Sequence, residues 1–144
     1  MAVGLNKAIV TLCAIGALAV SSLSSGQSDS SIWDGVYSEE QAKRGAITFA
    51  EVCTACHGED LRGDSNTPSL VGVSFMFLWE QRSLAELFVK MQTEMPTSNP
   101  GSLADDSYRD LVAYLLKMNR FPSGADDLSA DPEKIGRIFI VPQP

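Results

Sequence analysis

The chain has 144 residues, a formal net charge of −7, three cysteines and one histidine, and 44% of it is aliphatic or aromatic. This length suits one domain, and the apolar content is too high for a disordered chain. A single histidine excludes a multi-histidine metal site, three cysteines are too few for a disulfide-dense scaffold, and the acidity argues against nucleic acid as a ligand. The acidity suits either a partner with a basic patch or solubility alone.

The N-terminal segment has the pattern of an export signal. A short head with one lysine precedes an apolar run over 8–20, and small and polar residues follow. We assign residues 1–25 to a secretory signal peptide. The run is shorter than the ~20 residues that cross a bilayer comfortably, and a retained membrane anchor is the alternative. We therefore expect an exported, periplasmic protein that meets a membrane only if its N-terminus is uncleaved.

The next segment is predicted to change from a leader into a helix. Residues 26–36 include a polar, low-complexity stretch, and we expect them to form a flexible leader. Ser38 and Gln41 form a capping box, and apolar residues then recur at helical spacing over 39–53. The stretch over 57–68 is rich in Gly, Asp, Asn and Pro, and it predicts a loop.

Three further helices are predicted in the second half of the chain. The strongly apolar stretch over 71–81 indicates a short helix. A second capping box begins at Ser83 and opens a helix that ends near Gln92, with Pro96 as its stop. The clearest helix covers 104–119, with acidic residues in its first turn and basic residues near its end, as the helix dipole prefers.

The C-terminal tail is acidic at first and then apolar. Isoleucines and a phenylalanine over 135–141 indicate that the tail, 123–144, packs on the domain or on a partner, as a short strand or an extended arm. No strand alternation of useful length occurs elsewhere. We therefore predict an all-α domain over 37–122.

The chemistry concentrates in the segment Cys53-Thr-Ala-Cys56-His57, a C-x-x-C-H motif of the kind that attaches c-type haem. Two thiols with two residues between them add across the vinyl groups of one haem, and the following histidine supplies a proximal ligand to the iron. A redox dithiol follows a strand in an α/β pattern, which is not visible here. Zinc needs two further ligands, and a Cys53–Cys56 disulfide would close an unusually tight loop. The motif therefore predicts one covalent haem c with His57 on its iron.

The second axial ligand must come from another residue type, because the chain has no second histidine. Methionine is the next choice, and it raises the reduction potential. The methionines after the signal segment are Met76, Met91, Met95 and Met118. Met95 stands at a helix end before Pro96, which restricts it to extended geometry. The other three fit apolar faces or runs, and we therefore predict Met95 as the ligand.

With these motifs the chain resembles the class I c-type cytochromes over about residues 37–121. The matching pieces are Gly45 and Phe49 in the first helix, the C-T-A-C-H motif, Pro68-x-Leu70-x-Gly72, Met95-Pro96 and the segment from Leu111 to Leu116. The resemblance implies four to five helices around one covalently attached haem, with a C-terminal extended tail added here. It also implies that the first and last helices cross closely at Gly45.

The resemblance further implies roles for residues around the haem. The Pro68 carbonyl would accept a hydrogen bond from the His57 ring and so orient this ligand. Leu70, Trp79 and Phe88 would form walls of the haem pocket.

A narrower resemblance concerns the lead-in to the first helix and the loop Met-Pro-x-x-Asn-Pro-Gly-Ser-Leu. Both are similar to small bacterial monohaem cytochromes c associated with quinoprotein dehydrogenases. The resemblance implies an electron carrier, not an enzyme, that shuttles single electrons between a periplasmic dehydrogenase and the respiratory chain, for example a terminal oxidase. The alternatives are a fixed cytochrome subunit of a larger oxidoreductase complex and a haem enzyme or gas sensor with an open sixth site.

Overall fold

The computed structural model describes Met1 and residues 29–144. Within this part of the chain the elements are strand β1 (Ser30–Ser31), helices α1 (Glu39–Val52), α2 (Thr54–His57), α3 (Val73–Trp79), α4 (Leu84–Glu94), α5 (Asp105–Met118) and α6 (Pro132–Gly136), and strand β2 (Ile138–Phe139). The signal assigned to 1–25 and the start of the leader lie outside the described residues, apart from Met1. The predicted all-α fold class is confirmed. In the described part of the chain, no helix combines the length and apolarity that a bilayer crossing requires.

Local signals account for where the longer helices begin. Ser38 caps α1 by accepting a hydrogen bond from the Gln41 amide at 3.0 Å. At α4 the Ser83 hydroxyl accepts from the Glu86 amide, and the Glu86 carboxylate accepts from the Ser83 amide in return. These contacts satisfy helix amides that would otherwise lack partners. The predicted starts of both helices are therefore confirmed.

Helices α1 and α5 cross at Gly45, and this crossing is the centre of the fold. A Cβ atom at Gly45 would stand 1.9 Å from the Asp110 carbonyl oxygen and 2.8 Å from the Tyr114 Cβ. Only glycine lets the two backbones approach so closely. Beside the crossing, the rings of Phe49 and Tyr114 are 5.3 Å apart. The close approach expected at Gly45 is confirmed.

Two groups of buried apolar residues form the core. The first, here named the terminal cluster, consists of Ile32, Tyr37, Ala42, Phe75, Trp79, Leu84, Leu87, Val112, Ala113, Leu116, Phe121, Leu128, Ile135, Ile138 and Ile140. The second, here named the motif cluster, consists of Phe49, Leu61, Tyr108, Leu111 and Leu115. Helix α5 contributes residues to both clusters, and Cys53 of the C-x-x-C-H motif packs against the second.

The N-terminal leader is structured from residue 30 onward. Strand β1 pairs in parallel with β2, and the Trp33 indole nitrogen donates to the Val141 carbonyl at 3.0 Å. Ile32 is fully buried in the terminal cluster. The expectation of a flexible leader over 26–36 is therefore wrong for residues 30–36. The cause is the tail, because it supplies a strand edge and an apolar surface that a local composition argument does not consider.

The C-terminal tail packs on the domain of its own chain. Its Gly124 amide donates to the Tyr37 carbonyl at 2.7 Å, and its Leu128 amide donates to the Gln41 side-chain oxygen at 2.7 Å. Helix α6 follows, capped by Asp131, and it places Ile135 in the terminal cluster. The tail thus combines a short helix and a short strand, and it closes the terminal cluster together with the leader.

Candidate haem-binding site

The C-x-x-C-H motif forms a single tight turn after α1. Cys53 ends α1 by donating its amide to the Phe49 carbonyl at 2.9 Å. The His57 amide then donates to the Cys53 carbonyl at 3.0 Å across α2. Helical spacing of three and four residues brings Cys56 and His57 to the same side of the turn as Cys53. The segment predicted as a loop from residue 57 is therefore preceded by a short helix that gathers the three reactive side chains.

The two thiols of this turn differ in environment. Cys53 is partly buried against the motif cluster, and burial raises the pKa of its thiol to about 11, with a smaller contribution from Cys56. Cys56 is exposed, and neither cysteine is in a disulfide. The motif cluster therefore partly covers one thiol, whereas the other is accessible to solvent. A flat apolar group could be bonded at both points and lie along the motif cluster.

The imidazole of His57 is buried and incompletely satisfied. It is 8% exposed. Its Nδ1 is buried and has no hydrogen-bond partner by strict geometry among the described residues. Burial lowers its pKa, while the Pro68 backbone acts in the opposite direction. The result favours a neutral ring, the form that ligates metals. Buried polar atoms without partners are rare in folded proteins, and such an atom here indicates a ring set up for a further interaction.

The His57 ring lies beside the Pro68 backbone, as the resemblance implies, and this backbone raises the pKa of the ring as a hydrogen-bond acceptor does. Pro68 is near enough to influence the pKa of His57, but Nδ1 does not meet hydrogen-bond geometry. The hydrogen bond between the ring and the Pro68 carbonyl therefore stays a prediction.

The loop after the motif is folded back on it by backbone hydrogen bonds. The Gly63 amide donates to the His57 carbonyl at 2.9 Å, and the Leu70 amide donates to the Leu61 carbonyl at 2.8 Å. Gly63 has a φ of 63°, and a Cβ there would stand 2.1 Å from the Thr67 carbonyl oxygen. The loop is therefore a compact structure that holds Pro68 and Leu70 near the motif.

Asn119, at the end of α5, fastens this loop to the helix. Its side-chain nitrogen donates to the Leu70 carbonyl at 2.9 Å and to the Leu115 carbonyl at 2.8 Å. Its side-chain oxygen accepts from the Gly72 amide at 2.8 Å. The sequence alone does not predict this role of Asn119. An asparagine just past a helix end is an ordinary cap, and nothing local indicates a partner 47 to 49 residues away.

The three expected pocket walls fall in different places. Leu70 packs against the motif cluster, and Phe88 packs against both clusters. Trp79 belongs to the terminal cluster instead, with the Arg82 guanidinium 4.7 Å from its ring centroid. Phe75 and Trp79 are four residues apart and therefore share the face of α3 that the terminal cluster buries. The role of Trp79 as a wall of the haem pocket therefore stays a prediction, and in this structure its side chain lies in the terminal cluster.

Met95 ends α4 with an extended backbone, as expected for a residue before proline, with φ −125° and ψ 148°. Its amide donates to the Met91 carbonyl at 2.9 Å, and its carbonyl accepts from the Tyr108 hydroxyl at 2.7 Å. Tyr108 is a member of the motif cluster. Met95 is therefore connected through one side chain to the cluster on which Cys53 packs.

The other methionines have different surroundings. Met76 packs against the terminal cluster, and Met91 packs against both clusters from the apolar face of α4. Met118 is 37% exposed at the end of α5. Of the four, Met95 alone stands at a helix end with its backbone bound to the motif cluster.

The residues present fit a covalently held haem c. Two thiols and a neutral buried imidazole come from one turn, and the surface beside them is apolar. Leu70 and Phe88 extend this surface, and a methionine is tied to it by Tyr108.

Comparison with known proteins agrees with this geometry. Residues 40–115, more than half of the chain, match the sequence model of the family described as cytochrome c oxidase, cbb3-type, subunit III. The chain belongs to this family. It is thus a c-type cytochrome of class I, and haem c is the cofactor that its family implies.

Two further comparisons add little to the family assignment. No curated protein matches this cytochrome. A solved structure, the sulfane dehydrogenase SoxCD from Paracoccus pantotrophus, is similar with a TM-score of 0.49 and 20% sequence identity. The similarity covers 74% of this cytochrome and 61% of that chain. The cytochrome therefore spans less than two thirds of the SoxCD chain that it matches.

Proposed function

We propose that this cytochrome carries single electrons through one haem c, bound covalently by Cys53 and Cys56 and ligated by His57 and Met95. The observation that supports this most directly is the turn at the end of α1, where five consecutive residues supply two free thiols and a buried imidazole. When bound, the haem supplies a reversible one-electron couple. The surrounding residues supply the rest of the function.

Those residues would bind the haem, orient its ligands and shield it from water. The two thiols fix the haem to the turn, and the neutral His57 ring provides a nitrogen ligand whose orientation Pro68 is near enough to influence. The motif cluster would keep water away from the haem, which favours the less charged, reduced state of the iron. A Met95 thioether would complete the set of ligands, so no coordination position would stay open for a substrate. This arrangement suits a carrier and not an enzyme with its own substrate.

The proposed location and partners follow from the sequence. A signal over residues 1–25 would export the chain to the periplasm, where it would pass electrons from a dehydrogenase, such as a quinoprotein dehydrogenase, towards a terminal oxidase of the respiratory chain. A net charge of −7 suits partners with basic docking surfaces. The protein would contact a membrane only through an uncleaved N-terminal segment.

A fixed subunit of a larger oxidoreductase complex is the second candidate. The matching family is named for a subunit of an oxidase, and this name is the observation that favours it. Size-exclusion chromatography of a gently solubilised native extract distinguishes the two. A free carrier elutes near the 15.5 kDa of the chain or below it, whereas a subunit elutes with its complex.

The test of the main proposal uses the full chain expressed in a host that matures c-type cytochromes. We expect haem staining to persist on a denaturing gel for the wild type and for Met95→Ala, and to vanish for the double variant Cys53→Ala, Cys56→Ala. The oxidised wild type should show the weak sulfur-to-iron absorption near the red end of the spectrum, and Met95→Ala should lack it. Staining of the double variant, or ready binding of carbon monoxide by the reduced wild type at neutral pH, would contradict the proposal.

A further inference from the structure

The backbone of Met95 is held from two directions. Its amide belongs to the last hydrogen bond of α4, to the Met91 carbonyl. Its carbonyl accepts the Tyr108 hydroxyl of α5 at 2.7 Å. Helix α4 thus fixes the position of the Met95 amide, and Tyr108 fixes the position of its carbonyl, from which the chain continues to Pro96. A residue whose two backbone polar groups are both engaged has little freedom to move its side chain away.

Tyr108 is itself anchored where the haem site begins. The residue is 1% exposed, and its ring belongs to the motif cluster, on which Cys53 packs. The ring also meets Phe88 edge-on, with centroids 6.3 Å apart. One side chain therefore reaches from the apolar surface beside the attachment turn to the backbone of the proposed methionine ligand.

We propose that Tyr108 is a positioning residue, which holds the Met95 thioether in place for ligation by hydrogen bonding to the Met95 carbonyl. This inference rests on the proposed function, because it requires Met95 to be an iron ligand. Tyr108 does not itself touch the iron in this scheme. Its hydroxyl restricts the loop, and the restricted loop keeps the sulfur bound against competing ligands.

The inference has a measurable consequence for ligand exchange. Tyr108→Phe keeps the ring in the motif cluster and removes only the hydroxyl. If the hydrogen bond forms in the Met95-ligated state and is lost when the loop swings out, its removal favours the open state. A single neutral hydrogen bond corresponds to about a fivefold change in such an equilibrium. Imidazole, which competes for the position of the sulfur, should therefore bind about fivefold more tightly to the oxidised variant.

The chain offers a matched control on the other side of the molecule. Tyr37 is also 1% exposed, and its hydroxyl also donates to a backbone carbonyl, that of Phe121, at 2.7 Å. Tyr37 belongs to the terminal cluster and not to the motif cluster. Tyr37→Phe removes the same kind of hydrogen bond from the same depth, so it reproduces a general loss of stability without touching Met95.

The experiment titrates imidazole into the oxidised holoproteins at fixed pH while the red sulfur-to-iron absorption is recorded. The set is wild type, Met95→Ala, Tyr108→Phe and Tyr37→Phe, each also unfolded in urea. We expect tighter imidazole binding for Tyr108→Phe, wild-type binding for Tyr37→Phe, and similar losses in unfolding midpoint for both. These results would separate a positioning role from a structural one.

The opposing outcomes are distinct. If Tyr108→Phe and Tyr37→Phe bind imidazole alike, the inference about Tyr108 is overturned and the proposed carrier function stands. If the wild type lacks the red absorption, or if Met95→Ala retains it, then Met95 is not the ligand. In that case the ligand assignment in the proposed function fails, and the inference about Tyr108 fails with it.

Discussion

The terminal cluster and the motif cluster share helix α5 but differ in how their polar atoms are satisfied. Around the terminal cluster, the Tyr37 hydroxyl, the Trp33 indole and the Gln41 side chain all have backbone partners within the chain. Beside the motif cluster, His57 Nδ1 has none among the described residues. The chain thus completes the first region with its own residues, whereas the second has the composition of one wall of a site.

The two regions also differ in what closes them. The leader and the tail meet in the terminal cluster, where β1 pairs with β2 and the Gly124 amide bonds to the Tyr37 carbonyl. The motif cluster is bordered instead by the turn at 53–57 and by the loop that Asn119 fastens to α5. The leader and the tail therefore supply buried residues to the terminal cluster and none to the motif cluster.

Separating α1 from α5 should have the largest effect on both clusters, because the crossing of these helices supports the terminal cluster and the motif cluster alike. Gly45→Ala places a Cβ 1.9 Å from the Asp110 carbonyl oxygen, and helix backbone cannot move aside cheaply. We expect a loss of about 4 kcal/mol in the free energy of unfolding, at the extreme end for single substitutions. Urea unfolding followed by circular dichroism measures it.

A second glycine provides the control for Gly45. Gly136 ends α6, and the nearest atom to a Cβ there is the Ala85 Cβ at 3.9 Å. Gly136→Ala should change the unfolding free energy by less than about 1 kcal/mol, in either direction. If Gly45→Ala is tolerated as well as Gly136→Ala, the close crossing of α1 and α5 is not what holds the two clusters together.

Two leucines of α5 allow the terminal cluster and the motif cluster to be tested separately. Leu111 is 2% exposed in the motif cluster, and Leu116 is fully buried in the terminal cluster. Either change to alanine should cost about 3 kcal/mol in the holoprotein, because the side chains and their burial match. Only Leu111→Ala should also lower the reduction potential, since under the proposed function it opens the apolar surface beside the haem to water.

A redox titration of both leucine variants beside urea unfolding provides the measurement. Equal potentials in the two variants would mean that the motif cluster does not line the haem. A lowered potential in Leu116→Ala alone would reverse the assignment of the two clusters.

Much of this architecture could be predicted from the sequence, where the causes are local. Ser38 and Ser83 mark helix starts because their side chains bond to amides three residues ahead. The close crossing at Gly45 is implied by the family resemblance, because one glycine among 11 does not by itself identify a helix contact. The attachment turn could be predicted as well, because Cys53, Cys56 and His57 lie within five residues.

The rest could not be predicted, because it depends on distant pairs. Trp33 bonds to the carbonyl of a residue 108 positions away, and local composition described that region as a flexible leader. Trp79 shares the terminal cluster with tail residues such as Ile135 and Ile140, which are distant in sequence and so could not be predicted as its neighbours. Tyr108 resembled an ordinary core residue of an amphipathic helix, and its bond to Met95 depends on how α4 and α5 pack.

A small effect on stability is expected from the contacts that hold the C-terminal tail to α1, beside the terminal cluster. Asp127 accepts hydrogen bonds from Ser38 and, at 2.6 Å, from Arg44, and these contacts lower the pKa of its carboxyl. A lowered pKa in the folded state stabilises the protein above the ordinary aspartate pKa of about 4, and this contribution is lost as the pH falls below it. The carboxylate is half exposed, and solvent screening keeps its contribution under about 1 kcal/mol.

Asp127→Asn should therefore lower the urea midpoint slightly at pH 7, and its difference from the wild type should shrink as the pH falls below about 4. The neighbouring Asp126→Asn is the control, because Asp126 is exposed and makes no hydrogen bond or ion pair with another described residue. Neither variant should alter the red absorption or the reduction potential, since the contact lies on the terminal side. A shifted potential in Asp127→Asn would show that the tail is coupled to the haem, and the division into a stabilising region and a binding region would then fail.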